Sequence, residues 1–568
     1  MTQSPAAATP TPPVPRPSAY IDVHCHIFNA RDVPTYSFVE DVFLENEVLR
    51  VVGAPFVLLL TQIAARSAPT YQQEKEILAP STSGPDVAEA KFEQRSDEEI
   101  FTQGFKHFLD EDRPFTDSEG ITDTLPRDRF VRQLYEIFLP GRVPRDLIPQ
   151  DFGATTAEPA NIRALFNEMQ ASRKQKGDGL RQYIAQFLTY WAVRLAYPRF
   201  RLAQELGTLG PDPGIPRLLT PAMLDIGNWL AINRAGAEPT PPTSLSDQAD
   251  LMRLICLQPR PSAVHGFIPF DPWRYADDCV LKRSPNALDL VDKALTCDGF
   301  IGVKLYPPMG FQASGNAARP PEEFPEAFRA NHHSSPGKAL DDALGDLYRY
   351  CIKHDVPIMA HCAATNGTSL RNSLCADPVF WHEVLKQDGF RTLRLNLSHF
   401  GAVWNLARTT ERASDTTASD RTLLASDTVA WTGYIVRMIE ENDFPNVYTD
   451  FGDFSVVLGR SDTELAKRTA IFERLGELVL NPANRKIRSR LMYGSDWLLL
   501  GREPGVENYY AQMRDQLLQQ IKVSPDDFFW KNAARFLGLG ASDRTRDRLR
   551  KFYLDNQGDP AVLDPFQA

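Results

Sequence analysis

The chain has 568 residues, with 62 basic and 73 acidic side chains and a formal net charge of −11. Hydrophobic residues make up 43% and charged residues 24%, which is wrong for a disordered chain, and the acidic balance with no dense Lys/Arg run argues against general nucleic-acid binding. A chain of this length buries a large core without disulfides, and no apolar run reaches the roughly 18 residues that a membrane span needs.

In chain order, residues 1–18 (MTQSPAAATPTPPVPRPS) read as a disordered Pro/Ala/Thr tail. They lack the basic start and apolar core of a secretory signal. The seven cysteines are scattered and form no CxxC pair, which fits reduced thiols and a cytoplasmic location. Short apolar or β-branched runs then recur: Ala19–Phe28, Leu218–Ile226, Val264–Phe270, Phe300–Tyr306, Val356–Cys362, Leu393–Phe400, Asn446–Phe451 and Arg490–Trp497. Pro221 interrupts the second of them. Segments with helical periodicity, such as Ala339–His354 and Arg468–Leu480, lie between the runs. Strands alternating with helices imply parallel pairing through right-handed crossovers.

The expected fold is therefore α/β: a TIM-type (β/α)8 barrel with a large, mainly helical insertion after the first strand. Residues 19–29 and 215–545 form the barrel, 30–214 the insertion and 546–568 a C-terminal extension. The insertion leaves the C-terminal end of the first strand, so it is expected beside the site as a cap. Asp97–Phe108, Asp128–Phe138, Asn161–Gln175 and Leu180–Leu195 are its expected helices. Val51–Ala65 reads as a buried helix or a hydrophobic lid.

The chemistry begins at Asp22-Val23-His24-Cys25-His26. Alternate strand residues share a face, so Asp22, His24 and His26 point one way and Val23 and Cys25 the other. Two imidazoles at i and i+2 can reach one metal ion, and neutral imidazole suits zinc. His361, His399 and Asp496 each end a later apolar run, where a barrel enzyme carries its catalytic groups.

This ordered set resembles the amidohydrolase superfamily, and within it the amidohydrolase-related group that includes aminocarboxymuconate-semialdehyde decarboxylase. The residues that carry the likeness are Asp22-x-His24-x-His26-x-Phe28, Gly302 to Pro307 (GVKLYP), His361, Ser398-His399-Phe400-Gly401, Tyr493 to Trp497 (YGSDW) and Lys531 to Leu539. The resemblance implies that His24, His26, His361 and Asp496 bind a divalent metal, most often zinc, and that His399 acts beside it. Such an ion would lower the pKa of its water toward about 7, and Asp496 could then accept a proton from it.

Lys304 is ambiguous. In some members of the superfamily a lysine here is carboxylated and bridges two metals, which would make His399 a ligand of the second. The unmodified lysine, with one ion, is the favoured reading, since a buried amine needs an anionic partner or a shifted pKa. Asp22 either orients a ligand histidine or braces the interior. Asp450 and Asp453 are candidates for binding substrate. Trp431, Trp497, Tyr306, Phe311 and Trp404 are candidates for an aromatic pocket. His332-His333 reads as a solvated pair, and Cys25 and Cys362 as packing residues.

The expected function is metal-dependent hydrolysis of an amide, lactone or ester bond in a small organic substrate. The alternative on the same scaffold is a decarboxylase of a small carboxylic acid. An inactive barrel acting as a binding module is the alternative of another class. Expected partners are the small-molecule substrate and, from the family likeness, a second copy in a homodimer; neither nucleic acid nor a membrane is expected.

Overall fold

The computed structural model describes residues 14–43, 53–78, 95–110, 115–116, 122–123, 127–140, 159–174, 180–211, 214–230, 243–258, 262–332, 335–406 and 431–568. Two parallel sheets carry the fold. In the first, β1 (Tyr20–Cys25), β2 (Arg217–Pro221) and β3 (Ser262–Val264) lie in that order. The second runs in order through β4 (Phe267–Pro269), β5 (Gly302–Leu305), β6 (Ile358–Ala360), β7 (Leu395–Leu397), β8 (Val447–Asp450) and β9 (Leu491–Met492). Each strand falls within or overlaps one of the apolar runs read from the sequence. Their side chains are buried on both faces, as parallel strands covered by helices require.

β3 and β4 occupy what the sequence suggests is one strand, broken at His265-Gly266. The fully buried His265 ring donates from Nδ1 to the Gly299 carbonyl at 2.7 Å, and the Tyr553 hydroxyl sits 3.0 Å from its Nε2. β2 ends at Pro221, which has no N–H to continue a ladder. Backbone bonds also join the two sheets. Met223 N donates to Phe267 O at 3.1 Å, and Val23 N donates to Tyr493 O at 3.2 Å.

The helices between strands start where their side chains cap them. Asp271 accepts from the backbone N–H groups of Trp273 and Arg274 ahead of the helix Pro272–Leu281, which has Pro at its first position. Capping boxes open the helices Ala287–Cys297 (Asn286 with Asp289) and Asp462–Leu480 (Ser461 with Glu464). The helix Arg544–Asp555 spans the boundary between the expected barrel and C-terminal segments. Among the described residues, no helix is long and apolar enough to cross a membrane.

Among the described residues, the helices within 30–214 include Gly53–Ser67, Tyr71–Leu78, Asp97–Asp110, Arg127–Phe138, Pro159–Lys174, a run from Leu180 to Leu195, and Arg199–Thr208. The 180–195 run is π-helical over Phe187–Trp191. These helices share aromatic contacts such as Phe101 with Phe105 at 5.6 Å and with Phe166 at 5.2 Å.

A buried ionic knot ties this region to the end of β1. The Arg199 guanidinium contacts both the Asp32 and Glu74 carboxylates, and Nε lies 2.8 Å from Asp32 Oδ2. Asn29 donates from its backbone N to Asp32 at 3.0 Å and from its side-chain amide to Glu74 at 3.2 Å. All four residues are buried. Replacing only the cation strands two carboxylates in a low-dielectric interior. We expect Arg199→Leu to lower unfolding free energy by about 3–5 kcal/mol, read as a shift in the urea midpoint.

Candidate metal centre

The alternation of β1 brings Asp22, His24 and His26 to one side of the strand, and all three are buried. Two glycines make room for the His24 ring. A Cβ at Gly452 would lie 2.6 Å from His24 Nδ1, and one at Gly494 2.8 Å from His24 Cβ. Asp496 follows β9 in the left-handed backbone region (φ 53°), and His399 follows β7 in the same region (φ 64°). Such conformations are uncommon for residues other than glycine and tend to gather at functional sites.

The ligating atoms of His24, His26 and Asp496 lie within 4.8 Å of one another. Asp496 Oδ1 is 3.1 Å from His26 Nε2 and 3.5 Å from His24 Nε2. The protons of these rings are committed elsewhere. His26 Nδ1 lies 2.8 Å from the Ala222 carbonyl, which can only accept, so the neutral ring presents a lone pair at Nε2. Burial lowers the pKa of His26, which keeps the ring neutral. His24 Nδ1 lies 3.2 Å from Asp450 Oδ1, an arrangement that likewise leaves its Nε2 to accept. Asp496 Oδ1 therefore has no hydrogen-bond donor among the described residues. Three lone pairs converge in a buried space, and that donor set fits a divalent cation.

His399 joins the group from β7. Its Nδ1 donates to the Gly452 carbonyl at 3.0 Å, its Nε2 is 3.1 Å from His361 Nδ1, and its ring centroid is 4.8 Å from that of His24. Burial, with His24 nearby, takes the His399 pKa down to about 4, and burial beside His399 lowers that of His361 well below its ordinary value. His361 stands off from the trio and packs against Tyr306 at 4.7 Å. The structure thus brings His24, His26 and Asp496 together and places His361 one imidazole further out. Lys304 Nζ is 3.5 Å from His24 Nε2, and burial lowers its pKa to about 8.

Asp450, read from the sequence as a candidate for holding substrate, instead holds the site's own groups. It accepts from Asn396 Nδ2 at 2.6 Å, Gly452 N at 2.8 Å and His399 N at 3.1 Å, besides facing His24. Burial alone would raise its pKa, but the His24 contact and these bonds hold it well below the carboxylate range. Asp22 accepts from Ser495 Oγ at 2.6 Å and Ser495 N at 3.0 Å, so it braces the loop that carries Asp496. Burial raises its pKa to about 7.

A narrow cavity opens on His24, His26, His361, His399 and Asp496. Its other walls include Phe28, Phe38, Val42, Leu224 and Leu499. Phe38 and Val42 come from the region after β1, and no sequence signal marked them. Phe28, Phe38 and Trp191 form a chain of ring contacts behind this wall. Of the aromatic candidates, Tyr306 lines this cavity, Phe311 lines a smaller neighbouring one, and Trp404 is 5.9 Å from the His399 ring. Trp431 faces an open groove elsewhere. His332 is not solvated as expected. It is 9% exposed, stacks on Phe328 and lies 2.9 Å from Asp277; His333 lies outside the described residues. Cys25 and Cys362 are core residues, as expected.

The C-terminal ends of parallel strands thus gather imidazoles and carboxylates in an α/β fold. Residues 279–539 match the sequence model of the Amidohydrolase family. That stretch, a little under half of the chain, is similar to the amidohydrolase superfamily. No curated protein matches the sequence. Among solved structures, a protein named as a metal-dependent hydrolase from Lactobacillus casei is 14% identical, with a TM-score of 0.33; the match covers 76% of this chain and 96% of that one. An amidohydrolase from Burkholderia multivorans is 14% identical (TM-score 0.30, 59% of this chain and 86% of that one). A protein named as a 2-pyrone-4,6-dicarboxylic acid hydrolase, from Acinetobacter baumannii, is 10% identical (TM-score 0.29, 59% and 88%).

Gly452 offers a direct check of this geometry. Gly452→Ala must push the His24 ring off Asp450, so we expect a loss of about 1–3 kcal/mol in stability, as for overpacked cores, measured by chemical denaturation.

Proposed function

We propose that this chain is a metal-dependent hydrolase that cleaves an amide, lactone or ester bond of a small organic substrate. His24, His26 and Asp496 would hold one divalent ion, with His361 as the further ligand that the family likeness implies, and their nitrogen and carboxylate donors suit zinc. The observation that carries this reading is Asp496 Oδ1: a buried acceptor without a donor, facing two imidazole nitrogens whose protons are held on the far side of each ring. Bound there, a divalent ion would supply a Lewis acid for a carbonyl and a more acidic water near neutral pH.

The chain's own groups supply the rest. The Asp496 carboxylate would accept the proton of the attacking water. His399, kept neutral by burial, presents Nε2 to the reacting group while the Gly452 carbonyl fixes its tautomer. The Lys304 ammonium faces the same space and balances negative charge that develops on the substrate. Phe28, Phe38, Val42 and Leu499 exclude water from one side of the cavity, which strengthens each of these interactions. We read the two sheets as one closed barrel, on the strength of the Val23–Tyr493 and Met223–Phe267 hydrogen bonds, and residues 30–214 as its cap, because Phe38 and Val42 wall the cavity.

Metal content of the purified protein tests the reading. About one ion per chain is expected, lost in Asp496→Asn, and about two would mean a carboxylated Lys304 bridging a pair; none would overturn the proposal. Chelation should abolish hydrolysis in a panel of esters, lactones and amides, and zinc should restore it. Carbon dioxide release in place of ring or amide opening would identify a carboxy-lyase. Asp450→Asn should weaken metal binding about 10–100-fold, the usual effect of removing a carboxylate behind a ligand histidine, measured by competition with a chromophoric chelator.

A further inference from the structure

We propose that Thr432 is a positioning residue for His399, its hydroxyl holding the left-handed turn that carries the imidazole; the proposal rests on the role given to His399 above. Four successive residues after β7 have positive φ: His399 at 64°, Phe400 at 46°, Gly401 at 65° and Ala402 at 60°. Residues with a Cβ are disfavoured in this region and visit it singly, so three of them beside one glycine make an uncommon turn. Such a backbone persists only where its surroundings hold it.

The turn is held from both sides. On its N-terminal side, His399 N donates to Asp450 Oδ1 at 3.1 Å, and the ring donates from Nδ1 to Gly452 O at 3.0 Å. On its C-terminal side, the Phe400 carbonyl accepts from the Thr432 hydroxyl at 2.8 Å, and both residues are buried. That oxygen belongs to the peptide between Phe400 and Gly401, in the middle of the four. Holding it limits how far the turn can unwind toward the ordinary right-handed region. The Phe400 ring lies 5.7 Å from that of Phe451.

Thr432 lies in the helical stretch 431–440, which is itself anchored. The Tyr434 hydroxyl is 2.6 Å from His382 Nδ1 on the helix Pro378–Lys386. At the far end, the Glu440 carboxylate accepts from the backbone N–H groups of Arg485, Lys486 and Ile487 at 3.0, 2.8 and 2.9 Å. Lys486 Nζ donates to the Glu440 and Glu441 carbonyls at 3.0 Å, as cations commonly do at a helix C-terminus. Asp450 and Gly452 thus fix His399 from β8 and the loop after it, while Thr432 fixes the backbone behind it from a helix. Without the hydroxyl, relaxation of Phe400 would turn the His399 Cα–Cβ bond and draw Nδ1 off the Gly452 carbonyl.

Thr432→Val keeps the shape of the side chain and removes the hydroxyl, and Thr432→Ser keeps the hydroxyl. The first readout is the ring-nitrogen spectrum of the metal-free full-length protein with its ten histidines isotopically labelled, the His399 signal being assigned by its loss in His399→Asn. The wild type should show the Nδ1-protonated ring, Thr432→Val an average of both tautomers, and Thr432→Ser the wild-type signal. The second readout is hydrolysis of the ester and lactone panel. We expect kcat to fall about 10–100-fold in Thr432→Val, the range for misplacing a reacting group by up to about 1 Å, with KM and zinc affinity unchanged. Thr432→Ser should restore it, and Thr432→Ala makes the same comparison if valine prevents folding. A wild-type His399 signal without the hydroxyl, no rescue by serine, or a loss of zinc affinity that matches the loss of kcat would overturn the inference and leave the metal-centre reading standing. A wild-type protein that takes up no zinc and hydrolyses nothing in the panel would overturn that reading instead, and the ring spectrum would still decide for or against Thr432.

Discussion

The arrangement of protons on three buried imidazoles governs this site. Each ring keeps its Nδ1 beside an acceptor: Ala222 O for His26, Asp450 for His24 and Gly452 O for His399. That choice turns every Nε2 inward as a lone pair and leaves Asp496 Oδ1 facing no donor. A buried carboxylate oxygen without a donor costs stability, and lone pairs placed together do so as well. Such an arrangement makes sense where a cation is to be received. The Lys304 ammonium stands 3.5 Å from His24 Nε2, a place where its positive charge partly offsets the local excess of acceptors.

Much of the geometry that enforces these tautomers comes from backbone and glycine. Two of the three acceptors are carbonyl oxygens at strand ends, and Gly452 serves twice: its carbonyl fixes His399, and its missing Cβ admits the His24 ring. Asp450 is the one side chain that orders several parts together, since it holds His24, Asn396 and two backbone N–H groups. Its pKa, held well below the ordinary carboxylate value by the His24 contact and these bonds, keeps it an acceptor across the physiological range.

What could be read from the sequence follows the range of the interactions involved. Period-two alternation is local, so Asp22, His24 and His26 are legible as one face of β1, and apolar runs ending in polar residues mark His361, His399 and Asp496 as strand-end groups. The insertion helices are legible for the same reason, because amphipathic periodicity needs only a few turns of chain. The break between β3 and β4 is less so: a buried histidine paired with Tyr553, far along the chain, has no local signature. Asp450 looks like any loop carboxylate until folding brings His24 to it across 426 residues. The separation of His361 from His24, His26 and Asp496 goes with side-chain packing against Tyr306 and His399, which strand positions alone do not specify.

The region after β1 is joined to the site more deeply than a cover would need to be. Its ionic knot of Arg199, Asp32 and Glu74 grips the residues just past His26, and its Phe38 and Val42 close one wall of the cavity. The Tyr190 hydroxyl lies against Gly501 in the segment after β9. These contacts reach both β1 and the loop after β9, which are the two segments that must meet for the cluster to form. A part that only shielded the cavity from solvent could tolerate slack at its attachment. One that grips both contributing strands transmits its own rigidity to the distance between His26 and Asp496, and the buried charges at its root set how rigid it is.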